Sequence, residues 1–135
     1  MHLPAITSKP VGQCAQRETS AREQRVCRTV LDRTAVQVAA VVGEALSAAG
    51  VPRVLQSAGN LFSFFFTDQP VRTYDDARTQ NTAAFAAFFH AMLDHGVWLP
   101  PSAYEAWFVS AAHSDDDIER IASAARVAAV AAAAA

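Results

Sequence analysis

The sequence has 135 residues, which is enough for one globular domain with its own core. Its 52% hydrophobic and 18% charged residues exclude a disordered chain. Its net charge of -2 indicates that it lacks the basic surface that binds nucleic acid. No uninterrupted apolar run reaches the roughly 18 residues of a membrane span, and the first residues lack the apolar core of a secretory signal. Cys14 and Cys27 lack the CxxC spacing, so we expect free thiols in a cytoplasmic protein, with a single bridge as the alternative.

The N-terminal segment, residues 1–29, shows no clear hydrophobic periodicity, and we expect it to be poorly ordered or non-native to the fold. For its second half, residues 13–28, a polar helix remains an alternative. From Leu31 onward, apolar residues recur at helical spacing and predict a helix over about 30–49. Gly50 stands where a left-handed helix end is expected.

Two short apolar runs follow this helix and are separated at Gly59. The second run, LFSFFF, has large apolar side chains on both faces of an extended chain, which is typical of a strand covered on both sides. It predicts either two adjacent strands or one strand with a glycine bulge. Thr73 then forms a capping-box pattern with Asp76, and helical spacing of phenylalanines predicts a helix over about 74–95.

The last quarter of the chain predicts one more strand and one more helix. Residues 104–110, YEAWFVS, alternate as a strand does, and Ser114 with the aspartates at 115–117 is typical of a capped helix start rather than of a calcium loop. The alanine tail, residues 131–135, is of low complexity, and we expect it to fray. The element order predicts an α+β fold over residues 30–130, a small, mostly antiparallel sheet with helices packed on one face.

Candidate sites of metal or nucleophilic chemistry are weak in this sequence. His90 and His95 lie five residues apart, on different faces of a helix, so we expect no metal site. Ser110, His113 and Asp115 can be written as a catalytic triad, but no nucleophile-elbow pattern surrounds them, and we discount it.

Glu105 is the only charged residue in the apolar stretch LPPSAYEAWFVSAAH. Burying an unpaired carboxylate is costly, so the acid needs solvent, a partner or a special environment. Residue pattern alone leaves two interpretations open. In the first, Glu105 is a strand residue that faces solvent or pairs with an arginine. In the second, Glu105 is an acid at the edge of a cleft.

Three long segments resemble one enzyme family. LDRTAVQVAAVVGEALSAAGVP, AGNLFSFFFTDQPV and NTAAFAAFFHAMLDHGVWLPPSAYEAWFVSAAHSDDDIERI are similar to the C-terminal part of glutamate-1-semialdehyde 2,1-aminomutases, which are pyridoxal-phosphate enzymes of the class III aminotransferase family. The resemblance covers about residues 30–128. It implies a small C-terminal domain that closes over the active site of a homodimer, whose large domain holds the cofactor. It also implies conversion of glutamate 1-semialdehyde into the tetrapyrrole precursor 5-aminolevulinate.

The resemblance also implies one site residue. The family motif of the type FEAGF matches YEAWF, and its acid falls on Glu105, which would lie in the active site near cofactor and substrate. A carboxylate there would favour protonated amines by charge pairing. Trp107 stands where the common motif has glycine, which implies a pocket wall of different shape.

Other parts of the family pattern are missing. The sequence has one lysine, Lys9, whose surroundings do not resemble the family's cofactor lysine, and the phosphate-binding loop would belong to the large domain. We therefore expect this chain alone to bind no pyridoxal phosphate and to catalyse nothing, and we hypothesise a truncated or frameshifted gene product. The alternative is a stand-alone α+β interaction module derived from the aminotransferase scaffold, without catalysis.

Overall fold

The computed structural model describes residues 20–135. Predictions that fall on residues 1–19, including those for Lys9 and Cys14, lie outside the described residues. The described elements in chain order are α1 (Ala21–Ala48), β1 (Val54–Ala58), β2 (Leu61–Phe65), α2 (Tyr74–Ala77), α3 (Thr82–Asp94) and α4 (Asp115–Ala133).

Helix α1 begins nine residues before the position that hydrophobic spacing indicates. Ser20 and Glu23 form a capping box, in which the Ser20 hydroxyl accepts from the Glu23 N–H and the Glu23 carboxylate accepts from the Ser20 N–H at 2.8 Å. The first turns are mostly exposed, so they carry no apolar stripe that would reveal them. The helix ends as predicted, because Gly50 has a φ of 72° and the Val51 N–H donates to the carbonyl of Leu46.

The two apolar runs after α1 form an antiparallel hairpin. β1 and β2 pair in the register Val54↔Phe65 to Ala58↔Leu61, and Gly59, with a φ of 63°, starts the two-residue turn between them. The hairpin confirms the two-strand alternative. Only one face of β2 is fully buried, however, and it carries Phe62 and Phe64.

The predicted strand at residues 104–110 is wrong. Ala103 and Tyr104 lie in a turn, and only Trp107 pairs with the sheet, through a single antiparallel bridge to Phe62. Pro100 and Pro101 lead into the turn, and the turn takes up the first residues of the segment, which therefore cannot pair as a strand. Beyond Trp107 the chain leaves the sheet edge, and the alternation of apolar residues therefore does not report a continuous strand.

The predicted helix over 74–95 is also wrong, since it is broken into α2 and α3. The Thr73–Asp76 capping box exists and starts α2. The break follows because Asn81 caps a new helix, with its side chain accepting from the Ala84 N–H at 3.0 Å, while its own N–H donates to the carbonyl of Phe66 at 2.8 Å. Backbone groups that would continue one long helix are thus used to join the sheet.

Helix α4 closes the core. Ser114 and Asp117 form its predicted capping box, and the helix continues through most of the alanine tail to Ala133, with Ala132 only 4% exposed. Ala132 is therefore packed in the core, whereas residues 133–135 are exposed. α4 packs against both α1 and α3, and its buried residues are Ala124, Ala125, Ala128, Ala129 and Ala132.

The architecture is α+β, as predicted: a two-stranded antiparallel sheet whose buried face joins one hydrophobic core with the helices. In the part of the chain that the structure describes, no helix combines the length and the apolar character that a bilayer crossing needs.

Candidate functional site

Glu105 lies at the end of a tight turn that starts at Ser102. The Glu105 carboxylate accepts from the Ser102 N–H at 3.0 Å, and the Glu105 N–H donates to the Ser102 carbonyl at 3.3 Å. The side chain is exposed, and no ion pair involving it is formed within residues 20–135. The acid in the apolar stretch is therefore exposed, and its carboxylate is capped by a backbone N–H rather than by a cation of the described chain.

The backbone of this turn is held by two neighbouring segments, strand β2 and the segment that contains Gln80. The Ser63 hydroxyl on β2 donates to the Glu105 carbonyl at 3.1 Å. The Gln80 side-chain amide donates to the Ala103 carbonyl, also at 3.1 Å. Trp107 closes the segment through its N–H, which donates to the Phe62 carbonyl at 2.6 Å. An exposed carboxylate is thus mounted on a backbone that is fixed on both sides of it.

Trp107 belongs to the core rather than to an open cleft wall. It is 4% exposed, and its ring centroid lies 5.4 Å from that of Phe64, 5.6 Å from Phe62 and 6.5 Å from Phe88. Aromatic pairs at these separations add stabilisation beyond the area they bury. Trp107 therefore packs between the hairpin and α3, and its backbone joins the Glu105 turn to β2.

A cleft of about 570 Å³ lies beside the turn. Tyr104 and Tyr74 face each other across part of it, with ring centroids 5.9 Å apart, and the Arg72 side chain contributes the cation of its lining. The remaining lining residues are Gln56, Ser63, Phe65, Val71, Thr73 and Ala77. Aromatic walls with a few polar groups suit a small polar ligand or a partner's side chain.

Two residues of the discounted triad, Ser110 and His113, form a local turn, whereas Asp115 begins helix α4. The His113 Nδ1 lies 3.2 Å from the Ser110 Oγ, but it also lies 3.1 Å from both the Ser110 N and the Ser110 O. The nearby acid is Asp117, whose pKa is held below its usual value by the Ser114 N–H and hydroxyl, and further by the charges of His113 and Arg120. An Asp117 that is occupied by the helix cap is not available to orient His113.

The other histidines have structural contacts. The His95 Nδ1 lies 2.8 Å from the Ala91 carbonyl at the end of α3, and His90 packs edge-on against Phe89. Among residues 20–135, no group of three or more histidine, cysteine or acidic side chains is placed to hold a metal ion.

The sequence-based predictions did not include two residues that hold the turn. Gln80 and Ser63 are polar residues within otherwise structural segments, and their hydrogen bonds reach residues 23 and 42 positions away. The Asn81 side chain, which precedes a run of helix formers, is the one local signal of the break that places Gln80.

The described residues do not fit a pyridoxal-phosphate site of their own. They include no lysine, so none of them can form a Schiff base, and the start of α4 carries Asp115, Asp116 and Asp117, which repel a phosphate.

Comparisons with known proteins connect the turn to a family. No family model matches the chain. It is 45% identical over 116 residues to a glutamate-1-semialdehyde 2,1-aminomutase of Propionibacterium freudenreichii subsp. freudenreichii, a match that covers 86% of this chain and 26% of the relative. It is 63% identical over 76 residues to the enzyme of the same name from Cutibacterium acnes, covering 56% of this chain and 17% of the relative.

The fold has a solved counterpart as well. An omega-transaminase from Sphaerobacter thermophilus superposes with a TM-score of 0.63 at 21% identity, over 82% of this chain and 25% of the transaminase. The chain spans about a quarter of the length of the first of these relatives and of the transaminase. It is homologous to the C-terminal region of glutamate-1-semialdehyde 2,1-aminomutases, and it has the fold of part of an omega-transaminase.

Proposed function

We propose that this chain acts as the small domain of a glutamate-1-semialdehyde 2,1-aminomutase and covers the active site in which glutamate 1-semialdehyde becomes 5-aminolevulinate. One observation carries the proposal. In a chain 45% identical to such an enzyme, the acid of the family motif, Glu105, is exposed on a turn that strand β2 and the Gln80 segment hold in place. A core residue or a randomly placed surface acid would not show this combination.

The role of Glu105 in this proposal is electrostatic. Its carboxylate has no cationic partner within the described chain, so its negative charge is available to protonated amines of the substrate or the cofactor. A fixed charge that is already oriented stabilises such groups at little reorganisation cost. The turn keeps the carboxylate in place through its backbone, and Glu105 needs to transfer no proton itself.

The proposal requires a second part that grips the cofactor. Pyridoxal phosphate is the cofactor of the homologous families, and the lysine that binds it would come from a large domain, within a homodimeric enzyme. We expect residues 20–135 to bind no pyridoxal phosphate alone, because they contain no lysine. The isolated chain is therefore expected to be inactive towards glutamate 1-semialdehyde.

A chimaeric enzyme tests the proposal. Residues 20–135 of this chain would replace the homologous segment of the Propionibacterium freudenreichii enzyme, and formation of 5-aminolevulinate would be measured. We expect an active chimaera in which Glu105→Gln lowers kcat roughly 100- to 1,000-fold, the order of effect seen when one preorganised electrostatic group is lost. Glu119→Gln, at an exposed position on α4, is the matched control and should leave kcat unchanged.

Two results would reject the proposal. One is a chimaera that folds and binds pyridoxal phosphate but forms no 5-aminolevulinate. The other is a Glu105→Gln chimaera with the kcat of its parent.

A second candidate is a non-catalytic interaction module, and the exposure of two aromatic side chains favours it. Trp98 is 81% exposed and Phe108 is 71% exposed, and large apolar side chains on a surface mark interaction sites when they occur together. Stable co-purification of this chain with an intact aminomutase, without any change in that enzyme's activity, would favour the module over the catalytic domain.

A further inference from the structure

Gln80 is a buried polar side chain in the break between α2 and α3. It is 5% exposed, and its amide group is hydrogen-bonded at both ends. The Phe66 N–H donates to Gln80 Oε1 at 3.3 Å, and Gln80 Nε2 donates to the Ala103 carbonyl at 3.1 Å. A buried amide of this kind is costly to remove, because each former partner is then left without a hydrogen bond away from water.

The two partners of Gln80 lie in segments that are distant along the chain. Phe66 directly follows strand β2, and Ala103 lies in the turn two residues before Glu105. Ala103 is itself buried, so water cannot readily replace the amide at its carbonyl. Gln80 therefore joins the end of the hairpin to the start of the turn that carries the acid.

We propose that Gln80 is a positioning residue for Glu105: it fixes the backbone before the acid and so sets where the carboxylate points. The functional half of this inference rests on the proposed function, whereas the structural half stands on the chain alone. Gln80 is buried and acts only through the turn. Small displacements of a charged group in an active site are enough to lower its effect on the rate.

Three variants separate the bonds of Gln80 from general packing. Gln80→Met keeps the length of the side chain and removes both hydrogen bonds. Gln80→Glu keeps an acceptor for the Phe66 N–H but offers the Ala103 carbonyl a donor only when the new carboxyl is protonated, and burial raises the pKa of such a group. Gln56→Met is the control for loss of a side-chain hydrogen bond elsewhere in the fold, because Gln56, at an exposed position on β1, donates through Nε2 to the Val71 carbonyl at 2.7 Å.

Amide hydrogen exchange of the full chain, followed by NMR, tests the structural half. We expect Gln80→Met to speed exchange of the Trp107 amide about tenfold, the effect of losing roughly one hydrogen bond, and Gln56→Met to leave it unchanged. Gln80→Glu should resemble Gln80→Met at neutral pH, and the Trp107 amide signal should return towards its original position on acidification.

An unchanged Trp107 amide in Gln80→Met would overturn the inference. So would an equal acceleration throughout α1 and α4, since that would mean general destabilisation. Should Gln80→Met fail to fold, Gln80→Glu decides by itself: a Trp107 signal that is insensitive to pH overturns the inference, and recovery in acid supports it.

The chimaeric aminomutase tests the functional half. Gln80→Met should lower kcat about tenfold with KM nearly unchanged, because Gln80 orients a reacting-site charge rather than binding substrate. An active chimaera that keeps its kcat in Gln80→Met, although exchange at Trp107 has changed, would overturn the positioning role. A chimaera that is inactive with Gln80 in place rejects the proposed function instead, and the exchange measurement still decides whether Gln80 holds the turn.

Discussion

The core of this domain is packed in two different ways, by aromatic rings on one side and by alanine on the other. The aromatic cluster consists of Phe62, Phe64, Phe66, Phe85, Phe88 and Trp107, with neighbouring ring centroids 5.4–6.5 Å apart. The alanine interface consists of the five buried alanines of α4, which packs against α1 and α3. The aromatic cluster is stabilised because large side chains fill the space between the elements, whereas the alanine interface depends on the close approach of helix backbones.

This difference bears on the candidate site because the Glu105 turn is attached to only one of the two regions. Trp107 ties the turn to the aromatic cluster, and Gln80 ties it to the residue after β2. Within residues 20–135, no hydrogen bond or ring contact joins the alanine interface to the turn. Stability should therefore fall when side-chain volume is removed from the aromatic cluster, and when side-chain volume is added at the alanine interface. The effect of substitutions on the site should also differ between the two regions.

The largest effect is expected from removing volume in the aromatic cluster. Trp107→Ala should lower the free energy of unfolding by about 3–5 kcal/mol, the usual cost of truncating a buried aromatic residue. Trp98→Ala, at an 81% exposed tryptophan nine positions earlier, is the matched control and should change it by less than about 0.5 kcal/mol. Urea unfolding of both variants checks the comparison, and equal losses would show that Trp107 does not anchor the core.

A smaller effect is expected from adding volume at the alanine interface. Ala128→Leu should destabilise by about 1–3 kcal/mol because α4 cannot keep its distance from its neighbours around a larger side chain. Ser123→Leu, at an exposed position on the same helix, should be close to neutral. Thermal unfolding distinguishes them, and a more stable Ala128→Leu variant would mean that the interface holds unfilled space.

The smallest effect is expected at the cap of α4. The pKa of Asp117 is lowered chiefly by the Ser114 N–H, so its folded pKa lies below its unfolded value. The stabilisation is then fully present above the unfolded pKa of about 4 and is lost as pH falls through the folded value. Asp117→Asn should be less stable than the unmodified chain at neutral pH and equal to it in strong acid.

Asp116→Asn serves as the control for this pH dependence, because Asp116 lies in the same first turn without being part of the capping box. Circular dichroism at several pH values checks both variants. A stability difference between Asp117→Asn and the unmodified chain that persists unchanged in strong acid would contradict the assigned cap.

Local signals in the sequence predicted much of the fold. Helix ends depend on nearby residues, so Gly50, the Thr73–Asp76 box and Ser114 could be located without a structure. The break has one local signal, the helix cap Asn81, but the contacts of Gln80 could not be predicted, because glutamine is a good helix former and its partners lie 14 and 23 residues away. The strand over 104–110 was wrong for a similar reason, since apolar alternation cannot show where a chain leaves a sheet edge.

The candidate site, like the fold, could be predicted from the sequence only in part. The residue pattern left Glu105 open between solvent and a cleft, and the structure shows an exposed side chain beside a cleft lined in part by Tyr104. Its role comes from the resemblance to aminomutases and stays a proposal. The anchoring of its turn by Ser63 and Gln80 depends on long-range hydrogen bonds, which spacing along a sequence does not reveal.

A crystal structure of the chimaeric aminomutase with bound cofactor and substrate tests the central claim most directly, by giving the position of the Glu105 carboxylate. We predict that this carboxylate lies within about 4–6 Å of an amine of the substrate or cofactor, the range over which an opposite charge favours the protonated form. A Glu105 side chain that faces bulk water on the side of the small domain remote from the cofactor would contradict the claim.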